Sequence, residues 1–253
     1  MNFIDRTAPE LAELDPDTVI VLPLGSIEQH GPHLPVSTDL TVASSVASAA
    51  VPLARSRGVE TLLLPALSYT KSDEHAWSPG TIWVSWDTLM RTLVDIGRSL
   101  VKTPARRLLL LNAHGGNSAL GQVACRELRR EFGLRTFLAH PSLPASLGGG
   151  SSSTERGLGV HGGHSETSIM LHLRPDLVHR EHARRWVPEQ LADYEHIGFG
   201  KPVSFGWLSS DFNDDGVLGD ASTATAEYGK QVFERAVDTV ASVLGEAQRF
   251  TPR

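Results

Sequence analysis

The sequence has few of the features that mark several common classes of protein. Its 253 residues include one cysteine, Cys125, which excludes an internal disulfide and a zinc site built from cysteines. The net charge of -6 comes without a basic block or interleaved aromatic residues, which argues against nucleic acid as a partner. No apolar run approaches the roughly 20 residues needed to cross a bilayer, so we expect no membrane partner.

The beginning of the chain, MNFIDRTAPELAEL, also lacks the basic and apolar regions of a signal peptide. We therefore expect a cytoplasmic protein. What the chain does contain is 40% apolar and 21% charged residues, a balance that can bury a substantial core. Length and composition together predict a single domain over residues 1–253.

Short apolar runs alternate with longer amphipathic segments along the chain. Four runs predict buried strands, because each is brief, apolar and bounded by breakers: 18–22, 61–64, 108–111 and 135–138. Apolar residues at helical spacing predict helices between the strands and one long helix near the end: 40–54, 86–101, 119–132 and 224–250. This order predicts an α/β fold with helices flanking a mostly parallel central sheet.

Acidic and histidine side chains directly follow the first predicted strand. The stretch GSIEQHGPHLPVSTD contains Glu28, His30, His33 and Asp39. Glu28 and His30 are two residues apart, so on an extended segment their side chains point to the same side. Sheets of this kind bind ligands beyond the carboxyl ends of their strands. The segment therefore predicts a binding site at that end of the sheet.

Two later segments carry similar groups. LLLLNAHGGNS places His114 in a glycine-rich turn after the third strand, although a tight turn with an incidental histidine is the alternative. GVHGGHSETS places His161, His164 and Glu166 where an apolar helix begins, although Glu166 can also be a first-turn acid favoured by the helix dipole. A second strand-end position for such groups strengthens the prediction of one shared site.

A fourth segment, KSDEHAWSPGTIW, adds Asp73, Glu74 and His75, with a solvated loop as the alternative. Six of the eleven histidines lie in the four segments: His30, His33, His75, His114, His161 and His164. Imidazole and carboxylate groups without thiolates suit zinc, manganese or iron. Asp39, with its two oxygens, can bridge a pair of such ions.

The glycine- and serine-rich stretch GGGSSS, residues 148–153, is the only low-complexity segment. We interpret it as a mobile loop near the site, with a plain surface linker as the alternative.

Five motifs, spread over nearly the whole chain, resemble those of the creatininase family of metal-dependent amidohydrolases. They are GSIEQHGPHLPVSTD, SDEHAWSPGTI, NAHGGN, HGGHSETS and GVLGDASTATAEYG. The resemblance implies a creatininase-like three-layer sandwich and two divalent ions per chain, Zn²⁺ and/or Mn²⁺, with Fe²⁺ possible. It also implies a homohexamer or related assembly and a small-molecule substrate.

The same resemblance assigns roles to individual residues. It implies five metal ligands, with Asp39 as the bridge: Glu28, His30, Asp39, His114 and Glu166. Coordination lowers the pKa of water toward about 7, so such a centre supplies a hydroxide nucleophile at cellular pH. His161 is the expected proton shuttle to the leaving nitrogen, while His75 and the backbone of Gly115 and Gly116 are expected to contact substrate.

The sequence departs from creatininase proper at two places. Gly115 and Gly116 stand where creatininases carry a tyrosine and a metal-binding glutamate, and ERGLGV precedes His161 where they carry a tryptophan and acidic residues. Because those groups hold and cover the flat creatinine ring, we expect weak activity on creatinine.

The expected function is hydrolysis of a carbon-nitrogen bond other than a peptide bond, in a small amide, formamide or cyclic amidine. The alternatives are a peptidase that trims a modified precursor peptide, creatinine amidohydrolase proper, and a metal-binding scaffold without catalytic activity.

Overall fold

The computed structural model describes residues 2–141 and 153–252. Most of the glycine- and serine-rich stretch lies outside the described residues, so our interpretation of it stays a prediction. Within the described part of the chain, no helix combines the length and the apolar character needed to span a bilayer.

Four parallel strands form the central sheet, in the order β2-β1-β3-β4. The strands are β1 (Val19–Leu24), β2 (Thr61–Leu63), β3 (Arg107–Asn112) and β4 (Arg135–Ala139). Each coincides with a predicted strand to within two residues at either end. The two central strands, β1 and β3, are buried along their whole length, which explains why their sequences are almost continuously apolar.

Six α-helices accompany the sheet in the described ranges. They are α1 (Ala8–Ala12), α2 (Thr38–Ser56), α3 (Trp86–Leu100), α4 (Ser118–Phe132), α5 (His164–Leu173) and α6 (Ala226–Arg249). The four helices predicted from apolar spacing correspond to α2, α3, α4 and α6. Gly133 ends α4 in the left-handed region, at φ 68°, where glycine carries no steric penalty.

Alternate residues of β1 face opposite layers of the molecule. Val19 and Val21 pack in a cluster with the apolar faces of α2 and α6. Ile20 and Leu22 pack in a second cluster with α3 and α4. Because successive side chains of a strand point to opposite faces, this pattern places two helices on each side of the sheet. The structure confirms the predicted α/β fold and its three layers.

The part of the chain after β4 is built mainly from loops. α5 lies against α6, where Ile169 and Met170 share a small apolar cluster with Val232 and Phe233. Strands β5 (Arg185–Trp186) and β6 (Gly219–Asp220) form a short antiparallel pair that the apolar periodicity did not predict.

Candidate metal centre

Four elements deliver acidic and histidine side chains to the carboxyl end of the sheet. Glu28 and His30 follow β1, and Asp39 lies in the first turn of α2. His114 follows β3, and Glu166 lies in the first turn of α5. The turn after β3 is short because Asn112 Nδ2 donates to the backbone oxygen of His114, at 2.7 Å.

These five side chains form two groups that share Asp39. In one group, His114 Nδ1 lies 3.1 Å from Glu28 Oε2 and 3.0 Å from Asp39 Oδ2. In the other, His30 Nε2 lies 3.3 Å from Asp39 Oδ1 and 4.0 Å from Glu166 Oε2. In each group one atom from each residue lies within 4.8 Å of the others, so each can surround one cation. The two oxygens of Asp39 face different groups, as a bridging carboxylate requires.

Because the cluster is buried, this arrangement is energetically unfavourable unless cations are bound. His30 is fully buried and Asp39 is 3% exposed, yet His30 Nε2 and Asp39 Oδ2 find no hydrogen-bond partner among the described residues. Asp39 Oδ2 and His114 Nδ1 are close, but they lack the geometry of a hydrogen bond. Buried polar atoms are normally paired. His30 Nε2 and Asp39 Oδ2 are both atoms that the two groups would offer to metal ions, so the residues fit a pair of divalent cations.

The pKa shifts at the centre reflect the same excess of negative charge. Burial alone would lower the pKa of His30, but the surrounding carboxylates, Asp39 first, raise it to about 10. Burial also opposes the charge on His114, whose pKa is nevertheless raised by Glu28 and Asp39. The carboxylates thus favour positive charge on both imidazoles. Divalent cations supply that charge while the imidazoles bind them in neutral form.

Glu166 is the least enclosed member of the cluster. About a third of its side chain, 32%, is exposed to the cavity described below. Burial of the carboxyl still raises its pKa to about 7, and solvent at the exposed side limits that effect. Its Oε2 accepts a hydrogen bond from the backbone N–H of Gly162 at 2.6 Å, which orients it toward His30.

Hydrogen bonds to neighbouring groups orient the cluster. His114 Nε2 donates to the backbone oxygen of Lys71 at 2.8 Å, which leaves Nδ1 to face the carboxylates. Ser72 Oγ donates to Glu28 Oε2 at 2.6 Å. Such contacts fix ring orientation and tautomer at metal sites.

His161 lies beside the cluster, in ring contact with His30 at 4.2 Å between centroids. Its Nε2 donates to the backbone oxygen of Gln29 at 2.7 Å, so its Nδ1 carries the lone pair. Nδ1 lies 3.7 Å from Glu28 Oε1, and atoms of Glu28, His30 and His161 form a third group close enough together to hold a cation. Burial and the neighbouring His75 and His30 rings hold the pKa of His161 well below its usual value, so the ring is neutral.

His75 stacks on His161, with ring centroids 4.0 Å apart, and Gln29 orients it. Gln29 Oε1 accepts from the backbone N–H of Gly31, which directs Nε2 toward His75 Nδ1 at 2.9 Å. His75 therefore carries its proton on Nε2, 3.7 Å from Glu28 Oε1. Burial, with the charges of His114 and His30, lowers the pKa of His75 to about 2. Gln29 was not identified as a site residue from the sequence, although it stands between two predicted ligands.

Gly116 leaves room for a carboxylate from another segment. A Cβ at position 116 would lie 1.9 Å from Glu74 Oε1 and 2.5 Å from His114 Nε2. Glu74 is 8% exposed and forms an ion pair with Lys71 at 2.9 Å. The sequence marked Glu74 as part of a polar segment but gave it no role. Gly115, in contrast, meets no atom within 4 Å and faces open space.

A cavity of about 630 Å³ opens over the cluster. His75, Gly115 and Gly116, the three expected substrate contacts, all line it, as do His161 and Glu166. Lys71 is the one lysine or arginine among the described lining residues. Neither Lys71 nor the aromatic side chains of the cavity wall were predicted, because no spacing in the sequence links them to the ligands.

Two further histidines of the predicted constellation lie away from the cluster. His33 is buried, and its Nε2 lies 3.0 Å from both Gly162 O and Thr167 Oγ1, so it supports the loop that precedes Glu166. His164 Nδ1 pairs with Thr223 Oγ1 at 2.9 Å on the edge of the cavity. Neither was expected to bind metal, and neither approaches the carboxylates.

Comparison with known proteins agrees with this geometry. The family model described as "Creatininase: Creatinine amidohydrolase" matches residues 5–244. The chain belongs to the creatininase family. The expected family, fold and hydrolase class are thereby confirmed.

Relatives in this family carry different names. The chain is 33% identical over 267 residues to a mycofactocin precursor peptide peptidase of Mycobacterium ulcerans, covering 98% of this chain and 95% of that protein. It is 31% identical over 251 residues to a creatinine amidohydrolase of Pseudomonas putida, covering 91% and 90%.

Solved structures of the family share the fold. A putative creatinine amidohydrolase from Bacteroides fragilis superposes with a TM-score of 0.78 at 25% identity, over 100% of this chain and 98% of the other. Two solved creatininases, a mutant of the Zn-Zn type and one named "Creatininase Mn", are each 28% identical over 92% of both chains, with TM-scores of 0.70 and 0.67. The family therefore accommodates both metals that the sequence predicted.

Proposed function

We propose that this protein hydrolyses an amide carbon-nitrogen bond at a centre of two divalent ions, Zn²⁺ and/or Mn²⁺. The observation that carries the proposal is the position of Asp39, a buried carboxylate whose two oxygens face two separate histidines. A purely structural carboxylate in such a place would be paired by hydrogen bonds, whereas Asp39 Oδ2 has none among the described residues.

The proposal divides the five ligands between two ions. Glu28, Asp39 Oδ2 and His114 would hold one ion, and His30, Asp39 Oδ1 and Glu166 the other. Divalent ions bound there would supply Lewis acidity and lower the pKa of a coordinated water molecule.

The proton transfers fall to His161 in this mechanism. Its neutral Nδ1 faces the cluster, and the hydrogen bond from Nε2 to Gln29 O prevents the ring from turning away. Nδ1 can accept a proton from the attacking water and then deliver it to the leaving nitrogen as the amide bond breaks. The N–H of His75, on the same side of the cluster, is available to the substrate oxygen.

For the substrate we favour a peptide or a peptide-derived amide over a small cyclic amide. The cavity, at about 630 Å³, falls within the range of roughly 300–1,000 Å³ that takes drug-sized ligands. Gly115 faces open space and adds no side chain to the cavity floor, although the space beside Gly116 is taken by Glu74. The name of the mycobacterial relatives supports the same choice. A small amide or formamide is the second candidate, because those relatives share the family with a creatinine amidohydrolase.

A substrate panel on protein loaded with zinc or manganese tests the proposal. Short peptides, formamides and cyclic ureides are incubated with the protein, and release of amine is measured. We expect metal-dependent hydrolysis of peptide-type amides and weak turnover of creatinine. A kcat/KM for creatinine of about 10⁴ M⁻¹s⁻¹ or above would place the protein with creatinine amidohydrolases instead.

Metal analysis gives an independent test. We expect close to two divalent ions per chain, since the cluster offers more ligands than one ion usually requires. One ion or none in metal-supplemented protein contradicts the two-metal centre. Two ions with no hydrolysis of any amide in the panel favour the scaffold alternative.

Three further expectations from the sequence stay predictions. They are the single domain over residues 1–253, the homohexamer and the cytoplasmic location. Light scattering on the purified protein measures the number of subunits directly.

A further inference from the structure

Four aromatic side chains form one wall of the cavity, which we name the aromatic wall: Phe199, Phe205, Trp207 and Phe212. The Phe199 ring lies 5.3 Å from both Phe205 and Trp207, and Trp207 lies 6.2 Å from Phe212, between ring centroids. The Phe199–Trp207 pair is edge-to-face at 80°. Aromatic rings prefer such separations and angles, so the four rings support one another.

Only part of this wall faces the cavity. Phe205 and Trp207 line it, with Gly206 between them, whereas Phe199 and Phe212 lie behind and contact the other two rings. Both lining rings are only half-buried. Two large apolar rings are thus held in fixed positions with one side open to a cavity, although full burial would stabilise them more.

The aromatic wall adjoins the proposed reaction centre. The Trp207 ring lies 6.5 Å from His75 at 85°, and His75 Nε2 is 3.7 Å from Glu28 Oε1. The chain after Trp207 is anchored there, since Ser209 Oγ accepts from Trp77 Nε1 at 2.7 Å and donates to Glu74 O at 3.2 Å. A group resting on Trp207 would therefore lie next to the bond that reacts.

We propose that Phe205 and Trp207 form a subsite that binds an aromatic side chain of the substrate beside the hydrolysed amide. This inference rests on the proposed amide hydrolysis and adds the chemical class of the neighbouring group. An aromatic ring gains most from this surface, because it can pair edge-to-face or offset with both lining rings and remove their apolar surface from water.

A cationic side chain is the competing occupant, because aromatic faces also attract cations. Lys71 argues against it, because its ammonium lines the same cavity and already pairs with both Asp73, at 2.7 Å, and Glu74, at 2.9 Å. A second cation would be repelled by Lys71.

Amino-acid hydroxamates test the subsite, because the hydroxamate group chelates divalent ions while the side chain is varied. Binding of the alanine, phenylalanine and lysine hydroxamates to metal-loaded protein is measured by calorimetry. We expect the phenylalanine compound to bind roughly 10-fold to 100-fold more tightly than the alanine compound, as burial of a phenyl group predicts. Lysine hydroxamate should bind no better than alanine hydroxamate.

Variants of Trp207 test whether the aromatic wall causes the preference for the phenylalanine compound. Trp207→Ala should bring the phenylalanine-to-alanine affinity ratio close to one. Trp207→Phe keeps a ring against Phe199 and should retain part of the preference even if the alanine variant folds poorly. Trp86→Ala is the control, since Trp86 is 64% exposed and is not a lining residue of the cavity. It should leave the ratio unchanged.

The outcomes separate the two proposals. Failure of all three hydroxamates to bind contradicts the metal centre, and the subsite falls with it. Equal affinity for the alanine and phenylalanine compounds, or tighter binding of lysine hydroxamate, overturns the aromatic subsite alone. A preference that survives in both Trp207 variants also overturns it.

Discussion

Both ends of the central sheet bury charged groups, but the two ends differ in how completely these groups are paired by hydrogen bonds. At the amino end, Arg107 is 2% exposed and its donors are paired. Nε and Nη2 donate to Asp17 Oδ1 at 3.1 and 2.7 Å, and Nη1 donates to the backbone oxygens of Ala247 and Phe250, each at 2.8 Å. This arginine ties the end of α6 to the first residue of β3.

At the carboxyl end, buried acidic and histidine side chains face one another. His30 Nε2 and Asp39 Oδ2 have no hydrogen-bond partner among the described residues, and three carboxylates surround two imidazoles. A buried charge without a partner destabilises a fold, whereas a paired one is tolerated. The amino end thus serves the stability of the fold, whereas the residues at the carboxyl end could hold cations.

The largest effect is expected from Asp39→Asn. The amide keeps the shape of the side chain but removes the charge that both ion positions share, so occupancy of both should fall. Activity should drop by more than the about 10²-fold to 10⁴-fold typical of losing one acid-base group. Elemental analysis and amide hydrolysis measure the two losses. Retention of two ions per chain would show that Asp39 does not bridge.

A smaller effect is expected from His161→Ala. Loss of the proposed proton shuttle should lower the rate by about 10²-fold to 10⁴-fold while the ions stay bound. His114→Ala is the matched variant, because it removes a proposed ligand from the same cluster and should lose metal together with activity. Added zinc or manganese should restore part of both in that variant only. Equal metal loss in the two variants, at matched folding by circular dichroism, would assign His161 to the ligands.

Arg107→Met probes the other end of the sheet. It leaves the backbone oxygens of Ala247 and Phe250 without their donor, and a buried unpaired group costs about 1–3 kcal/mol. We expect the free energy of unfolding to fall by about that amount, as measured by urea denaturation, with metal content unchanged.

Arg135→Met is the control for this variant. Arg135 lies 3.8 Å from the same Asp17 carboxylate but is 31% exposed, so its loss should be nearly neutral. If Arg107→Met reduced metal binding as strongly as stability, the separation of the two ends would be wrong.

The smallest effect is expected from Gly116→Ala. The added methyl group displaces Glu74 and presses on His114 Nε2, which should reduce metal affinity about 10-fold to 100-fold, as loss of supporting contacts at metal sites does. Gly115→Ala is the neighbouring control, because its methyl group meets no atom within 4 Å, and it should keep its metal. Equal metal affinity in the two variants would show that crowding of Glu74 and His114 at position 116 does not affect the metal site.

Local patterns in the sequence were sufficient to predict the sheet and its covering helices. β3 reads as four consecutive leucines because both of its faces are buried, and α3 shows apolar residues at helical spacing because only one of its faces is. The pair β5 and β6 gave no such signal. Each has two residues, too few for a period, and their pairing joins positions far apart in the chain.

The cluster of acidic and histidine residues was predicted for a similar reason. Glu28, His30 and Asp39 lie in one segment between a predicted strand and a predicted helix. His114 and Glu166 stood out in two later segments, and the family resemblance assigned all five as ligands. Contacts between loops were not predictable. The position of Trp207 beside His75 depends on the long loop between β5 and β6, where no periodicity constrains the path of the chain.

The order of the elements along the chain has a consequence for synthesis of the protein on the ribosome. The four sheet strands and the three residues of the first ion group are all complete by residue 139, before α5 and α6 are made. A nascent chain of that length already contains Glu28, Asp39 and His114, but it lacks Glu166 and α6, one of the two helices that cover one face of the sheet. The two proposed ion positions would therefore become available in sequence, and the second would be complete only after α5 and its Glu166 have been made.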